Sequence, residues 1–159
     1  MKEKVIVKFK RTDPEAILPK YHREGDACFD FHALIKEKYN FSDDYNSVVI
    51  HPLQQKVIRT GWALQIPKGY EMQVRPKSGK ARHKQLTITN SPGTVDSGYK
   101  EEIEVILFNL GKSPVIIKDK ERICQCKISE IPEVEIVEVE EFDKDRLDRG
   151  GGFGSTGDS

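Results

Sequence analysis

Gln55-Lys-Val-Ile-Arg-Thr-Gly-Trp-Ala-Leu-Gln-Ile66-Pro67-Lys68-Gly69-Tyr70-Glu-Met-Gln-Val-Arg75 contains the fold class in miniature. Two runs rich in β-branched and aromatic residues, Gln55–Ile66 and Tyr70–Arg75, are split by a Pro-Lys-Gly breaker. Such runs bounded by turn residues predict strands. The same alternation extends in both directions. Upstream it predicts strands at Val5–Phe9, Ala27–Leu34 and Val48–Ile50. Downstream it predicts Leu86–Asn90, Ile103–Leu110, Val115–Ile117, Arg122–Ile128 and Val134–Val139. Pro52, Pro92-Gly93, Gly111-Lys112-Ser113-Pro114 and Pro132 punctuate them. Within Ala27–Leu34, Cys28, Asp30 and His32 face one way, and Phe29 and Phe31 the other. No window has a sustained apolar period of 3.6, and only Ser78–Gln85 suits a helical turn or two. Many short strands at this spacing predict an all-β sandwich, jelly roll or barrel.

The 159 residues are most simply one domain, with a polar surface loop at Lys38–Asn46 and a tail from about Phe142, where the strand pattern stops. Basic and acidic residues balance at 26 each. That balance speaks against a general nucleic-acid or membrane surface, which needs a basic excess. The start, Met1-Lys-Glu-Lys-Val-Ile-Val-Lys-Phe9, is too charged for a signal peptide, and no run approaches membrane-spanning length. Cys28, Cys124 and Cys126 are odd in number and lack C-x-x-C spacing, so free thiols in a reducing compartment are expected. A soluble, cytoplasmic protein is the expectation.

The tail, Arg149-Gly-Gly-Gly-Phe153-Gly154-Ser155-Thr156-Gly157-Asp-Ser159, sets five glycines around one ring, an arginine and two hydroxyls. Glycine backbone presents bare N–H groups to an anion. Arginine offers a planar fork for phosphate, and a lone Phe suits a flat ring. The tail therefore reads either as a flap that orders over a nucleotide or as a frayed terminus. Gly152-Phe-Gly154-Ser-Thr-Gly157 also matches the G-x-G-x-x-G dinucleotide fingerprint, which requires a helix immediately afterwards. With only Asp158 and Ser159 following, no such helix is expected.

Four further polar clusters sit at strand ends. In Arg75-Pro76-Lys77-Ser78-Gly79-Lys80-Ala81, cations flank a hydroxyl and a glycine, which makes either a phosphate cradle or a solvated turn. In Asn90-Ser-Pro-Gly93-Thr94-Val95-Asp96-Ser-Gly-Tyr99, one carboxylate sits in a Pro/Gly turn. Asp96 there either activates a water or caps its own turn. Asp30 either ligates a metal through water or lies on a solvated face. Gln125, in Glu121-Arg122-Ile123-Cys124-Gln125, either reaches a ligand or pairs across the sheet. No P-loop, zinc-protease, zinc-deaminase or G-x-S-x-G motif occurs, and His22, His32, His51 and His83 are scattered.

Taken in order, these segments resemble the homotrimeric dUTP pyrophosphatase (dUTPase) family over nearly the whole chain. Its five motifs are similar to Asp26–Ala33, Arg75–Ala81, Gly93–Ile103, Glu121–Gln125 and Arg149–Gly157. The resemblance implies a jelly-roll-like β-barrel of residues 1–141, an arm of residues 142–159, and hydrolysis of dUTP to dUMP and pyrophosphate. It implies that Asp96 activates the water attacking the α-phosphorus and that Tyr99 stacks on the deoxyribose, excluding a 2′-OH. It further implies that Asn90 and the backbone of Gly93, Thr94 and Val95 read uracil, with Glu104 near the pocket's close. Lys77, Ser78, Gly79 and Gln125 would hold phosphates, and Asp30 would hold Mg²⁺ through water. Phe153 and Gly154 would cover the base, while Arg149, Ser155 and Thr156 bind the β/γ end. Each site would take motifs one, two and four from one subunit, motif three from a second and the flap from a third.

The chain departs from the family pattern at Cys28-Phe29, where Gly-Tyr is usual, and at His32, where tyrosine is frequent. It also has Lys77 for arginine, Lys80 for an apolar residue and Glu101 for glycine. Two other readings stand beside this one. A dCTP deaminase-branch enzyme normally lacks the aromatic flap and has a different turn after the motif-three Asp. A non-catalytic nucleotide-sensing protein on the same fold would bind a regulatory protein partner.

Overall fold

The computed structural model describes residues 4–36 and 46–143. Within them the chain forms eleven strands and one helix. The strands are β1 Lys8–Arg11, β2 Lys20–Tyr21, β3 Phe29–His32, β4 Ser47–Ile50, β5 Gln55–Gln65 and β6 Tyr70–Pro76. Helix α1, Ser78–Lys84, follows, and then β7 Leu86–Ile88, β8 Gly93–Val95, β9 Glu102–Asn109, β10 Val115–Lys118 and β11 Arg122–Glu130. All pairings are antiparallel, in sheets ordered β1-β5-β9-β7, β2-β3-β11-β6-β8 and β10-β4. This is the expected all-β, jelly-roll-like arrangement, although the described strands close no continuous barrel.

The two larger sheets meet through aromatic rings. Phe9 of β1 packs edge-on against Phe29 of β3 at 5.9 Å and against Trp62 of β5 at 6.0 Å. The predicted alternation in β3 is realised: Phe29 and Phe31 are buried, while Cys28, Asp30 and His32 lie on the other, half-exposed face. Cys124 and Cys126 project from β11 into the same core, and burial pushes the Cys126 thiol up, so it stays protonated. Gly61 is required where β5 bends. Its φ is +74°, and a Cβ there would meet the Ala16 Cβ at 2.5 Å.

Three expectations need correction. The first strand is Lys8–Arg11 rather than Val5–Phe9, because pairing with Gln65–Trp62 selects its register. The short strands Lys20–Tyr21 and Gly93–Val95 were not expected, being too brief and too rich in turn residues to show an alternation. Val134–Val139 forms no strand. Residues 131–143 are all exposed, and among the described residues no strand pairs with Val134–Val139, so that segment has no ladder to join. No helix among the described residues is long and apolar enough to cross a membrane.

One buried amide ties three segments together. Asn109 is fully buried; its Nδ2 donates to the Ile50 and Ser113 carbonyls, both at 2.9 Å, and its Oδ1 accepts the Gly111 N–H at 2.8 Å. Truncation would orphan all three partners, each of which loses water without gaining a replacement. We expect Asn109→Ala to destabilise the fold by about 2–4 kcal/mol, read from urea unfolding. A change below about 0.5 kcal/mol would show that these bonds are not structural.

Candidate active site

Two strands flank β6, and each brings a recess with it. On one side, β6 pairs with β8, setting Val74 opposite Gly93 and Gln73 opposite Thr94. The chain then turns at Asp96–Glu101 and returns as β9. Between β6, β8 and β9 lies a recess of about 180 Å³. It is lined by Asn90, Gly93, Thr94, Val95, Tyr99 and Glu104, all named from sequence, and by Val74, Ile88, Ile103, Val105 and Ile106, which were not. The floor is apolar and the rim polar, and the volume suits a single flat ring rather than a drug-sized ligand. Gly93 matters for close approach, since a Cβ there would come within 3.2 Å of Asn90 Nδ2 and crowd that amide.

Asp96 stands between two residues of this recess, Val95 and Tyr99. Its carbonyl accepts the Tyr99 N–H at 3.1 Å, closing the turn through backbone alone. The carboxylate itself is exposed and accepts no hydrogen bond among the described residues. The turn-capping alternative is therefore not what this side chain does. The Tyr99 hydroxyl donates to the Glu102 carbonyl at 3.1 Å, which holds the ring beside the recess.

On the other side of β6, β11 sets Gln125 opposite Arg75 and also opposite Asp30 of β3. Gln125 Nε2 donates to the Pro76 carbonyl at 2.8 Å. Here a second recess of about 260 Å³ includes Asp30, Lys77, Arg122 and Gln125. Asp30 Oδ1 accepts from Lys77 Nζ at 2.6 Å, and Oδ2 accepts from Arg122 at 3.3 Å. His32, beside it, has its pKa lowered chiefly by burial, so it adds no charge near neutral pH. Ser78 and Gly79 are exposed at the start of α1. Among the described residues, none lines both recesses. Arg149, Phe153, Gly154, Ser155 and Thr156 lie outside the described residues.

The donor set bears on Mg²⁺. Among the described residues no three His, Cys, Asp or Glu side chains converge on one point. Mg²⁺ keeps most of its waters and is commonly held by one or two carboxylates plus substrate phosphates. Among the described residues, the only carboxylates of this recess are Asp30 and Asp26, the latter bonded to the Arg23 N–H, so Asp30 suits an ion bound through water and carried in with a polyphosphate. It does not suit an all-protein cage.

The family model for dUTPase matches residues 14–157. The chain belongs to the dUTPase family. It is 42% identical over 156 residues to the deoxyuridine 5′-triphosphate nucleotidohydrolase of Caldanaerobacter subterraneus subsp. tengcongensis, covering 96% of this chain and 98% of that relative. The fold is also that of the Staphylococcus bacteriophage 80alpha dUTPase solved with dUpNHpp (TM-score 0.80, 23% identity, 96% of this chain and 98% of that one). The dUTPase of phage phi11 of S. aureus, whose structure shows the coordination of a structural Mg(II) ion, matches at a TM-score of 0.74, with 21% identity. That match covers 86% of this chain and 98% of the phage protein.

Sequence reasoning about the dUTPase motifs missed the group that steadies the motif-three turn. Glu102 accepts from Arg59 through Nε at 3.2 Å and Nη2 at 2.8 Å, from Thr12 at 2.8 Å and from the Gly61 N–H at 2.8 Å. It lies three residues after Tyr99, where the pairing of β5 with β9 shifts register. A glutamate at that irregularity was the only available signal. Burial raises its pKa, but the bonds from Arg59, Gly61 and Thr12 outweigh this and leave it below the usual carboxylate value. A depressed folded-state pKa gives stability that is present above the unfolded value of 4.5 and lost as pH falls through the folded value. Glu102→Gln should therefore lower the melting temperature at pH 7, with the gap to wild type narrowing below about pH 4. A gap that stays constant with pH would show that the charge is not involved.

Proposed function

We propose that the protein is a dUTP diphosphatase that splits dUTP into dUMP and pyrophosphate by attack of an Asp96-activated water on the α-phosphorus. The observation that carries this reading is the unencumbered Asp96 carboxylate, set between two residues of a recess sized for one pyrimidine ring. Asp96 takes a proton from the water as the new oxygen–phosphorus bond forms, and pyrophosphate leaves from the opposite side. Asn90 and the backbone of Gly93, Thr94 and Val95 read the uracil edge, and the narrow walls reject the thymine methyl. Glu104 lies at the rim of that pocket, and Tyr99 occupies the space a 2′-OH would need.

Lys77, Ser78, Gly79 and Gln125 hold the phosphates by charge and fixed donors, without any protein nucleophile. Mg²⁺, held through water at Asp30, would neutralise phosphate charge when bound with substrate. Lys77 and Arg122 bind that carboxylate and hold it at the same recess. Arg149, Phe153, Gly154, Ser155 and Thr156, on an arm from residue 142 onward, close over base and phosphates and exclude bulk water. The two recesses of one chain share no described residue, which fits a homotrimer in which motif three comes from a second subunit; the flap would come from a third.

Incubation with Mg²⁺ should give dUMP and pyrophosphate from dUTP, little product from UTP or dTTP, and none after chelation. Deoxyuridine products from dCTP would instead support a deaminase, and tight dUTP binding without turnover a sensing role. Asp96→Asn should lower kcat roughly 10²–10⁴-fold while retaining affinity for dUpNHpp. Near wild-type turnover would place the base elsewhere. Light scattering should report three chains per active particle, and an active monomer would refute the shared site.

A further inference from the structure

Helix α1 begins with the Ser78-Gly79 pair of the proposed phosphate site, yet nothing apolar holds it in place. None of its residues is buried, and Lys77 makes no side-chain capping bond at its start. Seven residues are far fewer than an isolated helix needs to persist in water. Its two ends are held by β6 and β7, and polar ties to the sheet set its orientation between them. One such tie, Lys77 to Asp30, uses a lysine that is itself assigned to substrate phosphate, so it is shared between the helix and the ligand.

The other tie is Lys80. Its Nζ donates to Glu121 Oε1, and its side chain is only 11% exposed. Lys84, one turn on, approaches the same oxygen at 3.6 Å but is 44% exposed. Glu121 is itself rigidly placed. Its Oε2 accepts the Lys118 N–H at 3.0 Å, its carbonyl accepts the Ala33 N–H at 2.8 Å, and its own N–H donates to the Lys118 carbonyl at 3.2 Å. It immediately precedes Arg122, which lines the phosphate recess, and shares an adjoining hollow with Lys77, Gly79, Lys80 and Arg122. Lys80 is one of the positions at which the chain departs from the family pattern.

We infer that the Lys80–Glu121 ion pair is a positioning device, setting Ser78-Gly79 against the Arg122–Gln125 wall and thereby deciding how firmly the phosphates beyond the first are held. The inference rests on the proposed dUTPase reading and extends it to a residue that need not touch substrate. Pairing also keeps Lys80 from swinging out to bind phosphate in a competing pose. Breaking it loosens α1, while the base recess adjoins that helix only through Ile88 of β7 and is otherwise built around β6, β8 and β9.

Calorimetric binding of dUpNHpp and of dUMP to the full chain separates these roles. For Lys80→Met, dUpNHpp should bind on the order of tenfold more weakly, and dUMP within about twofold of wild type. Lys80→Arg should recover most of the loss, and so should the exchange of Lys80→Glu with Glu121→Lys. If Lys80→Met does not fold, Glu121→Gln, which keeps the shape and removes the charge, carries the same two expectations. Equal weakening of both ligands, or of neither, would overturn the positioning role. A wild-type chain that binds no dUpNHpp would overturn instead the dUTPase reading on which it stands.

Discussion

Strand β6 is paired on both edges, and that double register is what the rest of the molecule depends on. Val74 opposite Gly93 opens the base recess, and Arg75 opposite Gln125 lines up the cationic one. A slip of one residue would turn every inward side chain outward. It would bring Arg75 towards the core and Val74 towards solvent, and both recesses would be lost together. The alternation of buried Met72 and Val74 with half-buried Gln73 and Arg75 is what forbids that slip.

Around this frame the polar groups divide into those that are tied down and those that are left free. Glu102, Asn109 and Glu121 each satisfy three or more bonds, and each pins a loop to the sheets. Asp96 and Ser78, which would act on the ligand, have no such bonds among the described residues. A group that must reorganise around a substrate gains nothing from a partner in the free protein. The rigid surroundings are what fix where it stands.

The sequence made much of this legible, for reasons that differ between residues. Phe29 and Phe31 announced their face because a strand alternates with period two, and Gln55–Gln65 announced itself by length and β-branching. The base recess was read only in part. Asn90, Gly93 and Tyr99 lie within one short stretch of sequence, whereas Val74, Ile88 and Ile103 reach the recess through strand register, which no local pattern encodes. Val134–Val139 misled because alternation gives a strand's faces but not its partner. Asp30 was recognised as an unusual residue on its face, but its pairing with Lys77 and Arg122 depends on sheet order.

The central claim is that water attacks the α-phosphorus at a site organised around Asp96. Hydrolysis of dUTP in water enriched in oxygen-18, followed by mass analysis of both products, tests it most directly. The account predicts one heavy oxygen in the phosphate of dUMP and none in pyrophosphate. Label in pyrophosphate, or release of orthophosphate with dUDP, would contradict it.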